Sequence, residues 1–138
     1  MFCFLAPEKG PTIKSITPLN STALKVTWEK LSLNDSNGIV TNYTVCYQLA
    51  SSEKVSCANN IIVTGEDATT ANLIELNEAT VYDVAVKAAT VEGLGPLGPK
   101  MNGETLEAGK RPNYIMLVCT FSTIYNSGIF ILIFLFKC

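Results

Sequence analysis

The sequence predicts an all-β fold, an antiparallel sandwich of about seven strands followed by an apolar tail. Three observations lead to this prediction. Apolar and polar residues alternate along several short segments, which is the period of a half-buried strand. Turn-forming residues separate those segments, and no helical period occurs between residues 10 and 106. The 138 residues suffice for one domain with additional segments at its ends.

The strands can be placed by this alternation and by the turns between them. In chain order they are Thr12–Thr17, Thr22–Glu29, Val40–Leu49, Val55–Val63, Ala71–Leu76, Thr80–Thr90 and Lys100–Leu106. In the strands Thr22–Glu29, Val40–Leu49 and Thr80–Thr90, the inward-facing residues are Leu24, Val26, Trp28, Tyr43, Val45, Tyr47, Tyr82, Val84, Val86 and Ala88. The same alternation places Cys46 and Asp83 on outward faces.

Charge and composition exclude several classes of function. The chain carries 10 Lys and Arg against 12 Asp and Glu, a net charge of −2, so we expect no nucleic-acid partner. It contains no His, which removes Ser-His-Asp and Cys-His catalysis and most zinc sites. Its carboxylates lie mostly at turns or on outward positions, with no sign of a cleft. We therefore expect no enzyme activity, no cofactor and no metal.

Two of the five cysteines flank a predicted hairpin. If its turn consists of Ser51 and Ser52, arms of equal length place Cys46 opposite Cys57, within reach of a disulfide. The bond would be a surface staple, since Cys46 is predicted to face outward. The alternative is a pair of free thiols, expected if the domain is cytosolic.

Three Asn-x-Ser/Thr sequons, at Asn20, Asn34 and Asn42, are candidate glycosylation sites on loops or an outward strand position. Asn, Ser and Thr are abundant in this chain, and chance alone gives about two such sites. The sequons are therefore weak support for an extracellular domain.

The two ends differ from the body. We divide the chain into an N-terminal extension (1–9), the sandwich (10–106), a linker (107–113) and a candidate transmembrane segment (114–136). Residues 112–136 carry no charge, but their polar centre is poor membrane core. There are two alternatives to a membrane span: the tail is not part of the mature protein, or it is an inefficient signal for a lipid anchor. The apolar start of the chain is too short for a signal peptide, so the chain is either a fragment or not secreted through one.

The body resembles the fibronectin type III domain family over residues 10–106. Pro11 opens the first strand and Trp28 lies in the second, where the family has its core tryptophan. The most specific resemblance is the pattern Leu76-x-x-x-Thr80-x-Tyr82-x-Val84-x-Val86-x-Ala88, followed by Gly93-x-Gly95-Pro96 before the last strand. Glu78 stands where the family usually has proline.

The resemblance implies an immunoglobulin-like sandwich of seven antiparallel strands. Its core residues would be Trp28, Tyr43, Tyr47, Leu76 and Tyr82, rather than a ligand cage. Tyr82 fits a tyrosine corner, with its ring in the core and its hydroxyl bonded to backbone before the strand.

The resemblance also implies a non-enzymatic module that binds proteins or separates neighbouring domains in an adhesion or receptor-type membrane protein. Its protein partner is not identified by the fold. Binding loops would be Leu31–Gly38 and Glu92–Pro99, predicted at one end of the sandwich. Alternatives are a cytosolic tail-anchored adaptor, and a fragment of a larger multidomain extracellular protein whose tail is not a true span. The domain is extracellular if an upstream signal is missing from this chain.

Overall fold

The computed structural model describes residues 5–51 and 53–111, and the backbone of 117–125 and 128–136. These parts contain short antiparallel strands and one turn of helix. In chain order they are β1 (Ile13–Asn20), β2 (Ala23–Trp28), α1 (Leu33–Ser36), β3 (Val40–Leu49), β4 (Asn59–Thr64), β5 (Thr70–Leu73), β6 (Val81–Thr90), β7 (Gly93–Leu94), β8 (Met101–Glu104), β9 (Leu117–Tyr125) and β10 (Gly128–Phe136).

Strands β1 to β8 form two antiparallel sheets, which confirms the predicted all-β sandwich. One sheet has the order β1-β2-β5. The other has the order β4-β3-β6-β7, with β8 also pairing β6. The predicted strand Val55–Val63 begins later than expected, at Asn59, because residues 53–58 are not paired in a strand and no tight hairpin turn joins β3 to β4.

The facing sides of the two sheets enclose the main core. Leu24, Val26, Tyr43 and Val45 are fully buried there. Trp28 lies at the centre, with its ring centroid 5.5 Å from that of Tyr43. These are inward positions of the alternating pattern, so the largest hydrophobic contribution comes from the face that the sequence predicts.

The outer face of the β3–β6 sheet is not exposed as predicted. Cys46 and Asp83 are both fully buried. Val55, Cys57 and Leu97 pack with Cys46 and Ala85 in a second, smaller cluster. Residues 53–57 and 97–100, here called the outer cover, thus bury positions that a period of two alone would leave in water.

A disulfide and an ion pair join the outer cover to the sheet. The Sγ atoms of Cys46 and Cys57 are bonded, with the Cα atoms 4.8 Å apart. The predicted hairpin register is wrong, because Cys46 lies opposite Asn60 and Cys57 precedes β4. The disulfide is also not a surface staple, since the outer cover buries Cys46.

The buried Asp83 carboxylate is held at one oxygen. Its Oδ2 accepts hydrogen bonds from Lys100 Nζ at 3.0 Å and from the Ser51 backbone N–H at 3.1 Å. Lys100 Nζ also donates to the Ser51 carbonyl at 2.8 Å. Burial by itself would raise the pKa of Asp83, but the Ser51 N–H and the Lys100 ammonium outweigh it and hold that pKa below its usual value.

Two strands lie within the candidate transmembrane segment, residues 114–136. Strands β9 and β10 pair antiparallel with each other, from Leu117 opposite Phe136 to Tyr125 opposite Gly128. Phe, Ile, Val and Thr dominate these segments and favour strands over helices. No helix in the described parts of the chain is long and apolar enough to cross a membrane. Residues 1–4 of the predicted extension, 112–116, 126–127 and 137–138 lie outside the described residues.

Candidate functional site

The two predicted binding loops lie at the same end of the sandwich, joined by residues 5–10, here called the N-terminal strap. The Leu5 N–H donates to the Asn37 carbonyl at 3.3 Å, and the Glu8 N–H donates to the Asp35 carbonyl at 3.0 Å. On the other side, the Thr90 hydroxyl donates to the Leu5 carbonyl at 3.2 Å. The strap therefore fixes the spacing of the loop before β3 relative to the end of β6.

Glycines allow the strap to approach the second loop. A Cβ atom on Gly10 would overlap the backbone of Gly98, and a Cβ on Gly95 would meet Pro7 Cβ at 2.6 Å. Neither position has room for a side chain. The Gly-rich segment after β7 is thus explained by close backbone packing against the strap.

Helix α1 shapes the first loop, although no helical period predicted it. The Ser32 hydroxyl accepts a hydrogen bond from the Asp35 N–H at 3.2 Å and caps the turn, and Asn37 ends it in the left-handed region at φ 53°. A Ser followed three residues later by an acidic residue, with Asn just beyond, is the sequence signal for such a turn.

An ion pair ties this helix to the strap. Lys9 Nζ donates to Asp35 Oδ1 at 2.7 Å. The hydrogen bonds from Lys9 and from the Ser32 hydroxyl hold the pKa of Asp35 below its usual value, and Asp35 correspondingly raises the pKa of Lys9. Asp35 therefore stabilises the loop through its bonds to Lys9 and Ser32. A substitution there would disturb the loop as well as any contact with a ligand.

This end of the molecule exposes large apolar side chains. The set, here called the loop-end apolar surface, consists of Leu5, Leu33, Ile39, Val91 and Leu94, each more than half exposed. A shallow cavity of about 270 Å³ lies within it, lined by Gly38, Ile39, Thr90, Val91 and Glu92. Exposed apolar residues gathered around a concavity are typical of protein interaction sites.

Carboxylates accompany the apolar residues of this surface. Glu8 and Glu92 are exposed at its margin, while Asp35 is neutralised by Lys9. Within the described residues, no group of three or more His, Cys, Asp or Glu side chains could hold a metal ion. The arrangement offers apolar contact area with exposed carboxylates beside it.

The predicted core residues lie where a structural role requires them. Trp28, Tyr43, Leu76 and Tyr82 are buried, and Tyr47 is half-buried against the core. The Tyr82 hydroxyl accepts a hydrogen bond from the Asn77 backbone N–H at 2.9 Å. None of these aromatic residues lines the loop-end cavity.

The three sequon asparagines are distributed over the surface. Asn20 and Asn34 are exposed, at the end of β1 and on α1, and Asn42 on β3 is half-buried. Asn20 Oδ1 accepts a hydrogen bond from the Thr22 N–H at 2.8 Å. Asn34 stands beside Leu33, so a sugar on it would border the loop-end apolar surface.

Sequence reasoning located the loops but missed Leu5, Ile39 and Val91. Ile39 and Val91 lie one residue outside the predicted loops Leu31–Gly38 and Glu92–Pro99. The available signal was an apolar residue next to a predicted strand and within two residues of a glycine. Leu5 carried no signal, since the strap's contacts are all long-range.

The fold defines an immunoglobulin-like β-sandwich, with exposed apolar residues at one end. The family model "Fibronectin type III domain" matches residues 9–104, and the chain belongs to that family. This confirms the resemblance on which the predicted fold rests.

Several curated proteins contain a similar domain. Receptor-type tyrosine-protein phosphatase F of Mus musculus is 34% identical over 102 residues, 72% of this chain and 5% of that protein. Contactin-2 of Homo sapiens is 32% identical over 105 residues, 76% and 10% of the two chains. Cell adhesion molecule DSCAM of Homo sapiens is 31% identical over 103 residues, 74% and 5%. The chain thus spans a tenth or less of these relatives.

Solved single domains have the same fold. The fn3 domain of human contactin 1 superposes with a TM-score of 0.63 at 28% identity, covering 78% of this chain and 86% of that one. The third fibronectin III domain of human KIAA0343 protein superposes with a TM-score of 0.66 at 20% identity, covering 82% of this chain and 94% of that one.

Proposed function

We propose that this chain is a non-enzymatic protein-binding module of a cell-surface receptor or adhesion protein, and that it binds through the loop-end apolar surface. The observation that carries the proposal is that the exposed Ile39 and Val91 line one concavity, with Leu5 and Leu94 also exposed at that end of the sandwich. Relatives named as a receptor-type phosphatase and a cell adhesion molecule support the class of protein.

The strap supports a binding role because it pre-organises the two loops. Hydrogen bonds from Leu5, Glu8 and Thr90 fix the backbone on both sides of the cavity. A surface that is ordered before binding loses less conformational entropy when a partner docks. The acidic margin formed by Glu8 and Glu92 favours a partner whose apolar patch is bordered by Lys or Arg.

The competing function is a passive spacer between neighbouring domains. The experiment displays the full-length chain as fluorescent tetramers and measures their binding to intact mammalian cells, with trypsin-treated cells as the comparison. Binding should be lost after trypsin treatment. Val91→Asp should lower it about tenfold, because a carboxylate would be desolvated against the partner.

Ile74→Asp is the matched control. Ile74 is also exposed but lies beside the start of β2, at the opposite end of the sandwich, so its replacement should leave binding unchanged. Unaltered Trp28 fluorescence would show that both variants fold. Absence of protease-sensitive binding, or equal loss in the two variants, would contradict the proposed site and favour the spacer.

We further propose that the domain lies outside the cell, with Cys46 and Cys57 oxidised and at least one of Asn20, Asn34 and Asn42 glycosylated. Disulfides persist in oxidising compartments, and N-linked sugars are added in the same pathway. Glycosidase treatment of the chain from animal cells should increase its mobility, and a triple Asn→Gln variant should not shift. No shift together with reduced cysteines would favour the cytosolic adaptor.

A further inference from the structure

The edge of the larger sheet at β4 lacks the devices that usually protect an edge strand. Such edges are blunted by proline, charge, bulges or short length. β1 contains Lys14 and Pro18, β5 has only four residues, and β8 ends at Glu104. β4, Asn59–Thr64, has no charge and no proline, and it pairs β3 without a register shift.

We propose that β4 pairs antiparallel with β4 of a second copy of this chain, joining the two larger sheets into one. No strand in the described parts of the chain pairs with the outer side of β4. The proposal concerns a different surface from the loop-end site and does not depend on it.

The backbone groups available for pairing follow from the existing ladder. The Gly65 N–H donates to the Thr41 carbonyl at 3.0 Å, so position 65 points its backbone groups toward β3. Those groups alternate in direction along an antiparallel strand. Ile61 and Val63 therefore also bond β3, whereas Asn60, Ile62 and Thr64 present their N–H and C=O groups at the free edge.

Those free groups fix a symmetric register. With Ile62 opposite Ile62 of the second copy, Asn60 falls opposite Thr64, and each opposed pair exchanges two hydrogen bonds. The same register places Ile61 beside Val63 of the other copy on the core side. Every residue keeps the face it already has, as an isologous two-fold contact requires.

Side-chain chemistry also favours a second copy as the occupant. Ile62 is 64% exposed and would lie on the two-fold axis against its own copy. Two-fold pairing opposes each central residue with itself, so a charged strand would repel its copy; β4 has no charge to repel. The flanking Asn60 and Thr64 are uncharged and polar, which suits the ends of a small contact.

The test measures self-association and amide exchange of the full-length chain over a wide concentration range. Sedimentation should show a monomer–dimer equilibrium. As dimer forms, the amides of Ile62 and Thr64 should become about tenfold more protected. The amides of Ile61 and Val63, already bonded to β3, should exchange slowly at every concentration.

Two variants separate this contact from association through other surfaces. Ile62→Lys places like charges on the axis and should raise the dimer dissociation constant about tenfold. Ile74→Lys, at a residue 62% exposed and outside the strands, should leave it unchanged. A chain that stays monomeric, equal weakening by both variants, or dimerisation without protection of Ile62 and Thr64 would each overturn the proposal.

Discussion

The two faces of the β3–β6 sheet are buried by different means. The inner face packs apolar side chains around Trp28, against the opposite sheet. The outer face is covered by two connecting segments that are held by the Cys46–Cys57 disulfide and the Asp83–Lys100 ion pair. The inner face is thus stabilised by a large apolar core, and the outer face by a smaller apolar cluster together with covalent and ionic links. The two faces should therefore respond to different conditions.

Trp28→Ala should produce the largest effect, by emptying the centre of the inner face. Loss of a fully buried aromatic side chain costs about 4 kcal/mol of unfolding free energy. Denaturant unfolding followed by circular dichroism measures it. The decrease should be the same with or without reductant and between pH 4 and 8; a dependence on reductant would mean that the two faces are not independent.

Removing the disulfide should have the next largest effect, confined to the outer face. The Cys46→Ala, Cys57→Ala double variant frees a connection whose ends are 11 residues apart in sequence. Loss of a cross-link over a loop of this size costs up to about 3 kcal/mol. Reductant should destabilise the wild type and leave the double variant unchanged. Equal sensitivity of both proteins to reductant would refute a role for this bond.

Lys100→Met should have a smaller effect, about 2 kcal/mol, because it leaves the buried Asp83 carboxylate without its cation while the Ser51 N–H remains. Lys30→Met is a matched control. Lys30 is 41% exposed against 39% for Lys100, but its partners Glu66 and Asp67 are exposed to water, so its loss should destabilise the domain far less. Comparable losses in the two variants would contradict the importance of burial.

The pH dependence of folding stability should distinguish Lys100→Met from the wild type. The pKa of Asp83 is lowered in the folded state, so its contribution is present at neutral pH and is lost as pH falls through the folded pKa. In Lys100→Met the ammonium no longer offsets the effect of burial, so the pKa of Asp83 should rise. The loss of folding stability on acidification should then become smaller or turn into a gain. Urea titrations from pH 7 down to 3 measure the change, and an unchanged pH profile would contradict it.

The inner face could be predicted from sequence because alternation reports which side chains share a face. Leu24, Val26 and Trp28 are buried as that pattern requires. The outer face could not be predicted, since burial of Cys46 and Asp83 depends on where Val55 and Leu97 fold back. Those contacts join residues distant in sequence, and periodicity contains no information about them.

For the candidate site, the sequence located both loops but not their connection. Glycine and proline mark the turns, and they do so wherever the chain reverses. The apolar surface includes Leu5, which reaches the two loops through hydrogen bonds to Thr90 and Asn37, residues far from it in sequence. In the tail, hydrophobicity made residues 114–136 a candidate membrane span, and the described parts of that segment are the strand-favouring residues of β9 and β10.

The N-terminal strap has a mechanical consequence. A pull on the chain at Leu5 loads the few hydrogen bonds to Asn37, Asp35 and Thr90 before it reaches the β1–β2 ladder. The strap would detach first and lengthen the molecule by at most about 3.5 Å per released residue, with both sheets still paired. Detachment also removes Leu5 from the loop-end apolar surface. Tension along the chain would therefore weaken the binding of a partner to this surface.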